Sequence, residues 1–68
     1  MESSSEQDAR FQHLLTQLGN ADYKVRREAV QALAKTYGAE AVPALIQALA
    51  TEKHRNVRLR IVERLRDL

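Results

Sequence analysis

LGNADYKVRREAVQALAKTYG, residues 18–38, reads as a turn followed by one amphipathic helix. Stepping from Val25 at roughly 100° per residue, the angular step of an α-helix, Val25, Ala29, Val30, Ala32, Leu33 and Tyr37 fall on one broad arc. Arg27, Glu28, Gln31 and Lys35 fall on the other side. Asp22 precedes the helix, where its carboxylate is placed to accept the Val25 N–H as an N-cap. Gly38 follows the last periodic residue and suits a left-handed stop.

The stretch recurs in altered form at residues 49–68, LATEKHRNVRLRIVERLRDL. A shift of about 32 residues, inside the period range of helical repeats, carries Val25-Arg26 onto Val57-Arg58, and Ala29, Val30 and Leu33 onto Ile61, Val62 and Leu65. A second pair of stripes precedes these: Phe11, Leu14, Leu15 and Leu18, matched by Val42, Leu45, Ile46 and Leu49. Ser5 reads as the first N-cap, with Asp8 three residues on as a short capping box, and helix 1 runs to about Leu18 before Gly19. Helix 2 ends at Tyr37. Helix 3 occupies roughly Glu40 to Ala50, with Pro43 in its first turn, where a missing N–H costs nothing. Helix 4 runs from about His54 to Leu68. Short links force antiparallel neighbours. The predicted fold is all-α: four helices as two tandem antiparallel hairpins in a short solenoid, over residues 5–68, behind a disordered tail at residues 1–4.

This pattern resembles the HEAT family, and more closely its bacterial HEAT-like branch, named for phycobilisome lyases. In the first unit the resemblance rests on Leu14-Leu15, Leu18, Asn20, Asp22, Val25-Arg26, Ala29 and Ala32-Leu33. In the second it rests on Ala41-Val42-Pro43-Ala44-Leu45-Ile46, Leu49, Val57-Arg58 and Leu65. Its most specific element is the Val-Arg pair that opens the second helix of each unit. Two departures stand out. The family prefers acidic residues in the turn, where Asn20 stands in the first unit, and the counterpart of Asp22 is His54, a poor cap. The resemblance implies a protein–protein interaction module, a small scaffold, assembly or adaptor factor without catalysis. It also implies that the second helix of each unit lines a concave face, which here would present Arg27, Gln31, Lys35, Leu59, Glu63 and Arg66. Leu59 is the candidate anchor there, a large apolar residue off the main arc of its helix; an incidental exposed leucine is the plain alternative. The same branch includes proteins that attach or remove bilins, so an accessory subunit of a bilin lyase-type enzyme is the second expectation.

The width of each apolar arc predicts which helices lie inside. Helix 1 carries a narrow seam. Ala41, Ala44 and Ala48 widen helix 3, and Ala32 and Ala34 widen helix 2; in helix 4 the flank positions become Arg64 and Arg66. Helices 2 and 3 are therefore expected to be covered on two sides, and helices 1 and 4 to form polar end caps of the kind repeat arrays need, completing the chain at both ends. Because about three repeats are usually needed for stability, a homo-oligomer or a larger partner is expected as an alternative to a self-contained monomer.

Composition narrows the function classes. The chain has 68 residues, 11 Lys and Arg against 9 Asp and Glu, a formal net charge of +2 and no cysteine. That is one domain at most, with a small core, no disulfide and no thiol chemistry. No apolar run approaches the ~20 residues that span a bilayer, and the N-terminus lacks the pattern of a signal peptide, so no membrane partner and a cytoplasmic location are expected. No nucleophile–base pair or phosphate loop is present. His13 and His54 lie on different helices without the further ligands a zinc site requires. Glu6 with Asp8, and Glu63 with Asp67, are explained by the helix dipole or by Arg partners at i,i+4. No catalytic residue, cofactor or metal is therefore assigned.

Arg26 and Arg58 are the most informative charges. Each lies within the apolar arc of its helix, where a charge must be paired. We read them first as a structural ladder, with guanidinium forks bonding the turn carbonyls and Asn20, Asp22 or Glu52, and second as anion-binding arginines. Charge is also unevenly spread: Glu2, Glu6 and Asp8 make the start acidic, while Lys53, Arg55, Arg58, Arg60, Arg64 and Arg66 make the end basic. A solvated face is the first reading. An acidic protein partner, or head-to-tail contact between copies, is the second. Weak binding of a nucleic-acid backbone is the third, disfavoured because the cations do not share one face and no aromatic lies among them.

Overall fold

Asp22 starts the helix around which the molecule is built. In the computed structural model, which describes residues 2–68 and side chains from Glu6 onward, Asp22 has extended backbone and its carboxylate accepts the Lys24 N–H at 2.9 Å, one residue earlier than the expected Val25. Helix α2 then runs Tyr23–Tyr37. At its end Gly38 has φ 56° and ψ −126°, so the stop uses positive φ without entering the left-handed helical region. Only glycine visits that conformation without strain. The Gly38 N–H donates to the Ala34 carbonyl and closes the last turn.

Helix α1 spans Glu2–Gln17. It therefore begins ahead of Ser5 and takes in most of the expected tail; Met1, and the side-chain cap expected of Ser5, lie outside the described residues. After α2 the chain makes a 3-10 turn, Gly38–Ala41, then α3, Val42–Thr51, and α4, Arg55–Asp67. Helix 3 was expected from Glu40. Its first residues form the tighter 3-10 turn instead, and Pro43, at the start of α3, needs no N–H partner there.

Packing follows the repeat rather than the order along the chain. Helix α1 packs on α2 and α3 on α4, and the most extensive contact is between α2 and α4. The spatial order is α1, α2, α4, α3. The core joins Val30, Leu33 and Ala34 of α2 to Ala41, Leu45 of α3, and Val57 and Ile61 of α4. Burying a Val, Leu or Ile completely stabilises by about 1.5–3 kcal/mol relative to exposure. Phe11, Leu14, Leu15 and Leu18 of α1 pack against this core without being fully buried. The Phe11 ring meets Tyr37 edge-on at 4.8 Å, and the Tyr37 hydroxyl donates to the Gln7 carbonyl at 3.1 Å.

This corrects the expected arrangement. The second central helix is α4, not α3. Among the described residues α4 buries Val57 and Ile61, whereas α3 buries Leu45 alone. Of the alanines expected to widen the arc of helix 3, Ala41 falls in the 3-10 turn and is fully buried, whereas Ala44 and Ala48 flank an open groove toward α1, lined also by Leu15 and Leu18. In stacked hairpins the second helices of each unit meet each other, so a helix that comes last in the chain is not last in space. The polar cap expected at the second end is incomplete: Arg55, Arg58 and Arg66 are exposed there, but Ile46 and Val62 are also 54% and 44% exposed.

Candidate functional site

Two turns, Leu18–Asp22 and Glu52–His54, lie at the same end of the hairpins, and a guanidinium ties them together. Arg26 is in the first turn of α2, so its side chain reaches back over the preceding loop. Its Nη1 donates to the carbonyls of Asn20, at 2.7 Å, and Ala21, at 3.0 Å. Its Nε and Nη2 donate to the two carboxylate oxygens of Glu52, at 2.9 and 3.0 Å. The second unit is thus held to the first by a two-pronged, charge-assisted contact. Glu52 is 8% exposed, the one buried charged residue among those described. Its Oε2 also accepts the His54 N–H at 2.9 Å, as Asn20 Oδ1 accepts the Asp22 N–H at 2.8 Å in the first turn.

Burial alone would push the Glu52 carboxyl up, but the Arg26 hydrogen bonds, the His54 N–H and the guanidinium charge outweigh it and hold the group below its ordinary value. The hydrogen bonds that Arg26 donates to Glu52 lead the causes that raise the pKa of the guanidinium. Because the folded carboxyl gives up its proton more readily than the unfolded one, the contact contributes stability above the ordinary glutamate pKa of about 4.3, and that contribution is lost as pH falls through the lower folded value. Urea denaturation between about pH 3 and pH 6 is expected to show stability declining on the acid side, and Glu52→Gln is expected to flatten that segment. An unchanged slope in the variant would show that other carboxyls control acid unfolding.

Arg58, the counterpart of Arg26, makes only half of this pattern. Its Nη1 donates to the carbonyls of Leu49 and Glu52, both at 2.9 Å, and the residue is exposed, not within the core as its place on the arc suggested. Among the described residues no carboxylate pairs with it. Asp22 serves as the helix cap and does not bond a guanidinium. His54, expected to cap poorly, does cap α4: its Nδ1 accepts the Asn56 N–H at 3.2 Å. Its ring stacks on Tyr23 with centroids 3.8 Å apart and planes 8° from parallel, and the guanidinium of Arg27 sits 5.9 Å from the Tyr23 centroid.

Between α2 and α4 there is a depression lined only by residues of these two helices, Arg27, Asn56, Leu59, Arg60 and Glu63. Leu59 is 56% exposed within it. Of the six residues expected on a concave face, Arg27, Leu59 and Glu63 come together here. Gln31 and Lys35 sit farther along α2, and Arg66 is exposed one turn beyond Glu63; none of the three lines the depression. Asn56 and Arg60 were not singled out for this face, although Asn56, Arg60 and Glu63 share one helical stripe at i, i+4 and i+7.

The family model for HEAT repeats matches residues 11–68. The chain belongs to the HEAT-repeat family. No curated protein and no solved structure matches it.

Two further ion pairs of these HEAT repeats lie along α4, although Nε of Arg60 and of Arg64 is buried without a hydrogen-bond partner among the described residues. Arg60 pairs with Glu63 at 3.8 Å and Arg64 with Asp67 at 3.1 Å, at i,i+3 instead of the expected i,i+4. Such exposed pairs contribute little, about 0–1 kcal/mol. Among the described residues no group of three or more His, Asp or Glu side chains is placed to hold a metal ion, and no helix is long and apolar enough to cross a membrane.

Proposed function

We propose that this HEAT-repeat chain is a non-catalytic protein–protein interaction module that binds through the α2–α4 face. The carrying observation is Leu59, more than half exposed in a depression rimmed by the guanidinium groups of Arg27 and Arg60. A large apolar side chain surrounded by groups that exclude water is the usual form of an interface anchor. The flanking cations favour a partner segment that sets carboxylates around an apolar residue, with arginine offering paired donors to each carboxylate. Gln31, Lys35 and Arg66 extend the same side of the molecule and are assigned to the outer part of the contact. Asn20, Asp22, Arg26, Glu52 and Arg58 are assigned to holding the turns and carry no partner-binding role on this face. No specific observation favours a role beside a bilin-attaching enzyme or the binding of a nucleic-acid backbone: no aromatic side chain on which a base could stack lines the depression.

Leu59→Asp is expected to abolish capture of the partner in affinity purification while the helical circular dichroism spectrum and melting midpoint stay within error, because surface substitutions usually change stability by less than about 0.5 kcal/mol. Partner capture that survives Leu59→Asp with the fold intact would place the binding surface elsewhere.

A further inference from the structure

A repeat protein contains its own picture of what one unit presents to the next. In the first unit that surface is formed by Leu15, which lines the groove against α3, and Val30, which is fully buried in the helix that packs on α4. Their counterparts in the second unit are Ile46 and Val62, and these are the exposed pair noted above. The polar tie follows the same rule. Arg26 spends Nη1 on its own turn and Nε and Nη2 on the carboxylate of the following unit. Arg58 spends Nη1 on its own turn in the same way, and no following carboxylate meets it. The outer flank of α3 and α4 therefore repeats both the apolar and the ionic parts of an interface this molecule already makes once.

We infer that the flank carrying Ile46, Arg58 and Val62 is a docking face for a helical hairpin of a partner protein whose turn presents a carboxylate at the position Glu52 occupies here. Charge selects that occupant over a second copy of the chain. In head-to-tail stacking the residue meeting Arg58 would be Asn20, an amide, and Arg10 would stand in place of Ala41. In tail-to-tail pairing two rows of Arg55, Arg58 and Arg66, all exposed, would face each other without acids between them, and like charges at close range are repulsive. A hairpin with an acidic turn supplies what both arrangements lack. This face is distinct from the Leu59 depression and does not rest on it.

The test joins a second copy of residues 37–68 after Leu68, which preserves the spacing of about 32 residues and offers a hairpin with its own Glu52. The tether only raises the local concentration of that hairpin. The extended chain is expected to melt in one transition, with a midpoint about 5 °C or more above that of the parent. Val62→Asp in the first copy, at a side chain that is 44% exposed in the unextended chain, is expected to remove most of the gain; Arg58→Ala, which also frees the Leu49 and Glu52 carbonyls in the unextended chain, is expected to cost more in the extended chain than in the parent. Glu52→Gln in the appended copy is expected to remove part of the gain, and Leu59→Asp none. An appended hairpin that melts separately, or a gain that persists with Val62→Asp, would overturn the inference. The unextended chain is expected to sediment as a monomer; self-association abolished by Val62→Asp would give the face to a second copy and overturn the choice of partner.

Discussion

Leu33→Ala is expected to lower unfolding stability by about 2–5 kcal/mol, the range for removing a fully buried leucine side chain from a core that relaxes only partly. Leu33 has no exposed surface and lies in the cluster that joins α2 to Ala41, Leu45, Val57 and Ile61. A core in a domain below about 70–80 residues rarely supplies more than about 3–5 kcal/mol, so the loss is comparable with the whole. Urea denaturation followed by circular dichroism should find the variant partly unfolded before denaturant is added. Ile46→Ala is the matched control: the side chain is more than half exposed, and its truncation should shift stability by no more than about 0.5 kcal/mol. Equal effects at the two positions would show that the packing described is not the packing that stabilises the chain.

Glu52→Ala ranks second. It removes the acceptor of two Arg26 hydrogen bonds and of the His54 N–H, and loss of charge-assisted hydrogen bonds at a buried acceptor costs about 1–3 kcal/mol. Glu52→Gln should cost less, because an amide oxygen still accepts from the backbone. Arg26→Ala combined with Glu52→Ala should cost less than the sum of the single changes, since residues in one network are not additive. Additive effects, measured in a double-mutant cycle by thermal or urea unfolding, would show that the contact contributes nothing across the two hairpins.

Much of this was legible in the residues. The stripe of α2, the Asp22 cap and the stop at Gly38 are local signals, each within one turn of helix, and local signals survive folding. The shift that carries Val25-Arg26 onto Val57-Arg58 revealed the repeat. Sequence order misled where spatial order mattered. Helix 3 is rich in alanine, and alanine widens an arc on paper without filling space, while Val57 and Ile61 sit among arginines whose long side chains leave the helix sideways. The helix that looked like an edge is one of the central pair. His54 was undervalued because caps are usually oxygen acceptors; an imidazole nitrogen serves when the backbone before the helix is extended. For the Leu59 face, the residues on α4 could be found by helical spacing, but which α2 residues would meet them depended on how the two helices pack. That is why Arg27 belongs to the depression and Gln31 and Lys35 do not.

The pairing of α2 with α4 also orders events in time. Their mutual surface holds much of the core, yet the whole of α3 lies between them in the chain. During synthesis the first hairpin leaves the ribosome with Val30 and Leu33 unsheltered, and it stays so until Val57 and Ile61 emerge. Residues of α4 thus close the interior of the two hairpins, and a nascent chain that has not yet released them leaves that surface open to chaperones and proteases.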